Sequence, residues 1–487
     1  MATSIGLVLF LVLIDKVVSF ARGIVFARLL GTTEYGIYTL GIFLVPILGT
    51  IASLGIPSAF MRYAPRYAMR GGLRSYLRKT YLLTVVLSVL LAGVVLVRPS
   101  FFSRLIYGNA SHADVIIISA MSIPAFLLLR NLSSTFMGLK LFRAGRLAES
   151  GQVAIYGVAG IALVVVSRSA AMGILGFVIS AFGAVVIFLP LLVRYARSVE
   201  PVPEAIVEPA FYRRLLRFTV WFMVTPILTQ IFQYVDRFSL QHLMNTSEQG
   251  IYSATANLSE SVSAVGLAIC NVVYPHLSAT WEMGQRGKAL KDLDSALRIT
   301  AIIVLVVGLV LVVFGKWFIM VLLGGEYVSG AGVLPFLVVF YLFTTLVWLF
   351  GAYPPLIEKT YVSAIAFSIA MPGNIILNLM LIPRLGMVGA AVATMVSYFL
   401  MWCIVVILCH RFGLPVTKRT VITCLLTFVL LMPPLLAIPA VGLILYICAC
   451  KTWIISVEER EKVYGEARRI LIRAKQLVVR GDSARSG

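Results

Sequence analysis

The chain alternates between long apolar runs and short polar intervals from one end to the other. A helix that crosses a bilayer needs about 20 predominantly apolar residues. On that template the runs predict about fourteen spanning helices: 5–30, 35–61, 80–97, 113–138, 150–167, 171–193, 215–241, 250–275, 299–323, 332–351, 361–383, 386–409, 420–436 and 437–455, numbered spans 1 to 14. The last two are short, and Pro433, Pro434 and Pro439 crowd their junction. A re-entrant hairpin, with twelve true spans, is the alternative there. The expected fold class is an all-α polytopic membrane protein.

The polar intervals give an orientation. Residues at span ends are counted with the adjoining loop. Of 41 Lys and Arg, 31 then fall on the side that holds the N-terminus, 6 on the other side and four within spans. Cytoplasmic loops carry the excess of Lys and Arg, so both termini are expected in the cytoplasm. The same bias accounts for the net charge of +21. Because that charge is spread over many short loops, it argues against a nucleic-acid partner.

Composition agrees with a bilayer as solvent. Hydrophobic residues make up 60% and charged residues 13%, against roughly a quarter charged in soluble domains. The six cysteines form no CxxC pair and no Cys/His cluster, so neither a disulfide framework nor a metal site is expected. Met1–Ser4 carries no Lys or Arg, and the apolar run from Ile5 is too long for a signal-peptide core.

The chain also repeats itself. Arg28–Tyr38 reads RLLGTTEYGIY and His242–Tyr252 reads HLMNTSEQGIY, with six of eleven positions identical at an offset of 214. Both lie in the turn between the first and second span of a half. A second echo, Gly173-Ile-Leu-Gly176 and Gly386-Met-Val-Gly389, opens spans 6 and 12. Six spans per half is even, so the halves enter the membrane the same way round, a parallel repeat typical of transporters. The expected division is an N-lobe at 1–195, a linker at 196–212, a C-lobe at 213–411, spans 13 and 14 within 412–455, and a tail at 456–487. The linker is rich in Pro and Glu. The tail alternates charge with Val463, Ile470, Leu471 and Leu477, which suits a surface amphipathic helix.

The turn motif, its copy and the two Gly-x-x-Gly openings carry a resemblance to the multidrug/oligosaccharidyl-lipid/polysaccharide exporter (MOP) superfamily. Within it the chain is most similar to the polysaccharide-exporter branch with its Wzx-type flippases. The resemblance covers roughly residues 5–410. It implies two six-helix lobes in a V around a central cavity that opens alternately to either side, lined by spans 1, 2, 7 and 8. Spans 13 and 14 match fourteen-helix members. The lipid II flippases carry an Arg-Asp pair in span 1 and Arg in span 2. Here Arg22 is followed by Gly23, and span 2 has no Arg before Arg62 at its cytoplasmic end, which argues against lipid II as substrate.

Charges at membrane depth cost about 2.5–3.5 kcal/mol each on insertion scales, so they face water or a partner. In span 1, Asp15, Ser19 and Arg22 share one helical face. The repeat offset carries that face onto Thr229, Gln233 and Asp236 in span 7, so both stripes are expected to line the cavity. A lipid-linked glycan bears phosphate or pyrophosphate beside its sugar, and guanidinium matches phosphate oxygens bidentately. Arg22 and Arg237 are therefore the expected phosphate ligands. Arg22 is also within snorkelling range of the external end. Asp15 and Asp236 could hold the arginines in the empty state or take up H⁺ or Na⁺ as coupling ion. Gln230, Gln233, Asn257 and Glu260 could contact sugar hydroxyls. Arg62, Arg66 and Arg70, continued by Arg74 and Arg78, form a cytoplasmic basic ridge: an entrance for the carrier's phosphate, or a contact with anionic lipid.

The expected function is a plasma-membrane transporter that flips lipid-(pyro)phosphate-linked oligosaccharide or polysaccharide units by alternating access. The partners would be that glycan on a polyprenyl or dolichyl phosphate carrier, membrane lipids and glycan-assembly proteins. A cation-coupled multidrug antiporter of the same fold is the alternative. A membrane-embedded glycan polymerase or ligase is disfavoured, because the longest external loops, 98–112 and 316–331, have only about fifteen residues. No Walker, HExxH or GxSxG motif is present. An enzymatic role and a cofactor are not expected.

Overall fold

The computed structural model describes residues 2–199, 211–219 and 221–450. Every regular element among them is helical, as the bilayer demands of a backbone that cannot find water. The helices are α1 Ala2–Ser53, α2 Ile56–Met69, α3 Leu73–Val97, α4 Pro99–Tyr107, α5 Ala113–Gly138, α6 Phe142–Ser167, α7 Ala170–Ser198 and α8 Phe211–Thr219. There follow α9 Trp221–Leu243, α10 Thr246–Glu282, α11 Arg286–Phe318, α12 Leu334–Phe350, α13 Tyr353–Leu356, α14 Tyr361–Arg411, α15 Lys418–Leu425 and α16 Pro434–Cys450.

Among the described residues eight helices are long and apolar enough to cross a membrane, or nine if the bent pair Phe10–Ser53 and Ile56–Met69 is one span. Two helical runs are longer than any single crossing. The 51 residues of α14 would reach about 77 Å if straight, against a hydrocarbon core of about 30 Å. Both runs are broken at a glycine, α1 at Gly31 (φ 72°) and α14 at Gly386 (φ 57°). Those breaks coincide with the expected turns between spans 1 and 2 and between spans 11 and 12. Only glycine takes such backbone without penalty.

Among the described residues the last two expected spans are short. α15 continues into a 3₁₀ segment, Leu426–Leu431, giving about 24 Å of rise in all. The apolar part of the last helix runs Pro434–Cys448. Helix α9 is also outside the apolar set, because Thr229, Gln230, Gln233, Asp236 and Arg237 interrupt it. The expected linker residues 200–210 and the tail 456–487 lie outside the described residues.

The chain forms two compact units. One comprises Met1–Ser259, Lys316–Leu337 and Phe367–Ser397; the other comprises Glu260–Gly315, Val338–Ala366 and Tyr398–Gly487. Lipid is as apolar as Leu, so helices in the first unit gain by close approach rather than by hydrophobicity. α6 and α7 touch where Gly160 meets Gly176, and Gly138 of α5 lies against the backbone of Phe60. Along α2, the side chains of Phe60, Tyr76, Phe211 and Leu215 form a buried core that docks α8 onto α2 and α3.

Candidate functional site

The two copies of the turn motif meet in the first unit. Gly36 faces the backbone carbonyl of Thr246, and Gly250 faces that of Thr32. Positions 36 and 250, like 32 and 246, are one repeat offset apart, so the contact obeys a local pseudo-twofold. A Cβ at either glycine would collide with backbone, which explains the glycine in both copies. Around them lies a buried hydrogen-bond cluster. The Thr32 and Ser247 hydroxyls are 2.8 Å apart. Gln249 donates to Thr39 (3.1 Å) and Ser253 (2.9 Å). Gln249, Ser253 and Thr39 are all buried, so the centre of this polar seal is closed to solvent, while Thr32 and Ser247 at its edge are half-buried.

Next to the seal sit the charged groups of α1 and α9. Arg22 is half-buried, its guanidinium 3.9 Å above the Tyr156 ring of α6, a cation–π arrangement. Tyr156 is hydrogen-bonded to Tyr38 through their hydroxyls (2.8 Å). On α9, Arg237 is buried and lies 4.6 Å from the Tyr234 ring centroid. Asp236 accepts from the Tyr252 hydroxyl and from the backbone N–H of Arg237 (2.8 Å). Tyr35 lies between these groups. Its hydroxyl accepts from Asn257 Nδ2 (2.8 Å), and its ring packs beside Tyr38, 5.9 Å between centroids. Arg22, Arg237, Asp236 and Asn257 thus fall into one tyrosine-rich neighbourhood.

The other expected site residues are placed differently. Asp15 is buried and engaged by α6: Arg146 forms an ion pair with it and Ser150 donates to it (2.9 Å). Arg146 also bonds Glu149 (2.7 Å), which accepts from Ser133 (2.5 Å). The carboxylate expected to steady an arginine of its own stripe is held instead by an arginine from a presumed loop. Ser19 and Thr229 are half-buried and Gln233 is exposed. Gln230 donates to Thr50 (3.0 Å). Glu260 belongs to the second unit, where its backbone carbonyl accepts from Ser263 (2.8 Å).

Arg62, Arg66 and Arg70 are exposed along α2 and its C-cap. The ridge does not continue as one helix, because Gly71 (φ 72°) separates α2 from α3. Arg74 leaves the ridge to bond the carbonyls of Ala196 and Arg197 (both 3.3 Å) at the end of α7. The sequence reading did not single out Arg146, Tyr156, Tyr35 or Tyr252 for the site. The last two stand inside the turn motif, which was the available signal; Arg146 and Tyr156 carried none. Among the described residues no group of three or more His, Cys, Asp or Glu could hold a metal.

This is the fold of a multi-pass membrane transporter. The lipid II flippase MurJ in its inward closed conformation matches with a TM-score of 0.70 at 15% identity, covering 95% of this chain and 99% of that one. A multidrug resistance MATE transporter of the MOP superfamily matches at 0.59 and 12% identity, over 83% and 96%. The Vibrio cholerae MATE transporter VcmN matches at 0.57 and 13%, over 86% and 98%. At such identities the likeness speaks for the fold alone. Residues 2–281, more than half the chain, match the family described as polysaccharide biosynthesis protein, and the chain belongs to that family. It is 22% identical to the "Putative O-antigen transporter" of Shigella flexneri over 75% of this chain and 87% of that one. An uncharacterized membrane protein of Methanocaldococcus jannaschii is 24% identical over 39% of this chain, and the match spans 38% of that relative's length.

Proposed function

We propose that this transporter flips a lipid-(pyro)phosphate-linked glycan across the plasma membrane by alternating access. The observation that carries the reading is the aromatic seat of Arg22: its guanidinium lies 3.9 Å above Tyr156, the Tyr156 and Tyr38 hydroxyls are 2.8 Å apart, and Tyr38 packs beside Tyr35, which accepts from Asn257. Arg22 and Arg237 come from α1 and α9, the helices that the sequence repeat sets in correspondence. Both guanidiniums lie against aromatic rings, and a guanidinium presents donors that match phosphate oxygens bidentately. Asn257 and the surrounding tyrosine hydroxyls are the kind of donors and acceptors that sugars use.

In this reading the termini are cytoplasmic. The paired turn motifs close the outer face, and Arg62, Arg66 and Arg70 stand at the cytoplasmic entrance. The repeat division at 1–195 and 213–411 is part of the same proposal. Asp15 is already neutralised by Arg146, so Asp236 is the carboxylate we assign to a coupling ion, H⁺ or Na⁺.

The test is translocation in proteoliposomes of a fluorescent polyprenyl-pyrophosphate disaccharide. The wild type should move it, and Arg22→Ala and Arg237→Ala should each slow it at least tenfold while remaining inserted and monodisperse. Normal flipping by both variants would remove the arginines from the site. Uptake of a cationic dye against a proton or Na⁺ gradient in the same liposomes would favour the antiporter alternative, whose fold the MATE structures share.

A further inference from the structure

Outside the Arg22–Arg237 neighbourhood, the first unit holds a second concentration of charge. A cavity of about 490 Å³ is walled by Arg28 and Gly31 of α1, by Arg168 at the end of α6, and by Gly324, Glu326 and Tyr327 of the segment that follows α11. That volume is within the range of about 300–1,000 Å³ usual for small-ligand sites.

Arg28, Arg168 and Glu326 are all exposed at its mouth, and one of them is set before any ligand arrives. Arg28 is anchored by donating from Nε to the Leu322 carbonyl (2.7 Å) and from a terminal nitrogen to the Val321 carbonyl. That fixes the guanidinium on the wall and keeps the α11 end in place. Arg168 holds a left-handed backbone (φ 49°) and caps α6 through its N–H to Val164 (2.8 Å). Among the described residues neither Arg168 nor Glu326 has an ion-pair partner, although both line one cavity. The wall at Gly324 and Gly325 is open, with no atom within 4 Å of an added Cβ. The floor is Tyr327, whose hydroxyl donates to the Ala27 carbonyl (2.8 Å). The Tyr327 ring packs edge-on against Tyr35 (6.3 Å between centroids). The cavity therefore backs onto the arginine neighbourhood through two tyrosine rings.

We propose that this cavity is a second saccharide subsite, specific for a glycan unit that carries a negative charge. Two guanidiniums and one carboxylate give the lining a net positive charge. Guanidinium pairs with a sugar carboxylate or phosphate, and Glu326 accepts from hydroxyls beside it. A neutral sugar would use only part of this set, and a bare inorganic anion would meet Glu326 unfavourably. In the proposed orientation the site faces outward, one step beyond the closed turn motifs. It would hold the head group as it leaves. The inference rests on the flippase reading for its place in transport, but its chemistry stands on the cavity.

The experiment measures binding by calorimetry to purified full-length protein in detergent, where both faces are accessible and membrane orientation has no influence. The probes are trigalacturonate, maltotriose and inorganic phosphate. Trigalacturonate should bind at least tenfold more tightly than maltotriose or phosphate. Arg168→Gln should weaken it at least tenfold with an unchanged melting temperature, whereas Arg104→Gln, at an exposed arginine outside the cavity, should leave it within twofold. Loss of binding in Arg22→Ala but not in Arg168→Gln would move the ligand to the arginine neighbourhood. That result would overturn the subsite while sparing the flippase reading. Equal binding of phosphate and trigalacturonate would overturn the saccharide assignment, and no binding of any probe would overturn the site. Normal translocation in the Arg22 and Arg237 variants would instead count against the flippase reading and leave the calorimetric result standing.

Discussion

Asp15 shows what a membrane interior does with an anion. It is buried on α1, where an isolated carboxylate would be intolerable, and Arg146 neutralises it. Removing one partner of such a buried pair costs about 3–5 kcal/mol, because the other is left charged without compensation. Arg146→Met should therefore lower the melting temperature of the purified protein sharply. The Asp15→Asn, Arg146→Met double variant should recover most of the loss. A double variant as unstable as the single one would show that Arg146 matters for some other contact. The sequence made Asp15 legible as a group in need of a partner, because it falls far from either end of span 1. It could not name the partner. Arg146 is 131 residues away and reads as one of the basic residues of a cytoplasmic loop. Helix α6 in fact starts at Phe142, eight residues before the expected start at 150, and so lifts Arg146 onto a helix beside α1. Hydropathy marks apolar stretches; it is blind to a polar first turn that continues the same helix.

At the scale of elements, both sequence echoes have a physical cause. Helices can approach backbone to backbone only at residues without a side chain, and Gly36 and Gly250 supply that approach reciprocally. The glutamates of the same motif attach it to the second echo. Glu34 accepts from the N–H of Ala170, at the start of α7 (2.8 Å), which suits a carboxylate at a helix N-terminus. Glu248 lies next to Gly386, where the last stretch of α14 begins. Turn motif and Gly-x-x-Gly are thus two sides of one joint. The repeat was readable because such joints tolerate few substitutions. The tyrosines were less so, since Tyr35 and Tyr156 matter through what they touch. The paired turns should also be separable. In a background without the six native cysteines, Thr32→Cys with Ser247→Cys should form a disulfide under mild oxidant and abolish translocation, and reductant should restore it. Full activity of the cross-linked protein would mean that these turns never part during transport.

For the whole molecule, the sequence conveyed the class of fold through composition, loop charge and repeat, but not how the last segments are fastened. Spans 13 and 14 read as an added pair after two complete lobes. In the second unit α15 and the 3₁₀ segment after it are fastened to buried groups, whereas α16 leaves Leu435, Leu436, Leu443 and Tyr446 exposed. Thr420 donates to Asp294, which is also paired with Arg298, and Arg298 in turn reaches the Thr420 hydroxyl (3.3 Å). Phe428, on the 3₁₀ segment, packs against Phe343 and Phe399, both at 5.2 Å. Gly308 of α11 faces Leu430. A short segment with a charged anchor and an aromatic contact needs no full-length hydrophobic run to hold it, which is why periodicity gave it too much length. Truncation after Val416 would leave Asp294 and Arg298 without their hydroxyl partners and uncover the Phe343 and Phe399 rings. The truncated protein should lose its monodisperse peak on size-exclusion chromatography. A dispensable pair would instead give a truncated protein with the melting temperature of the full chain, and that outcome would return α15 to the periphery.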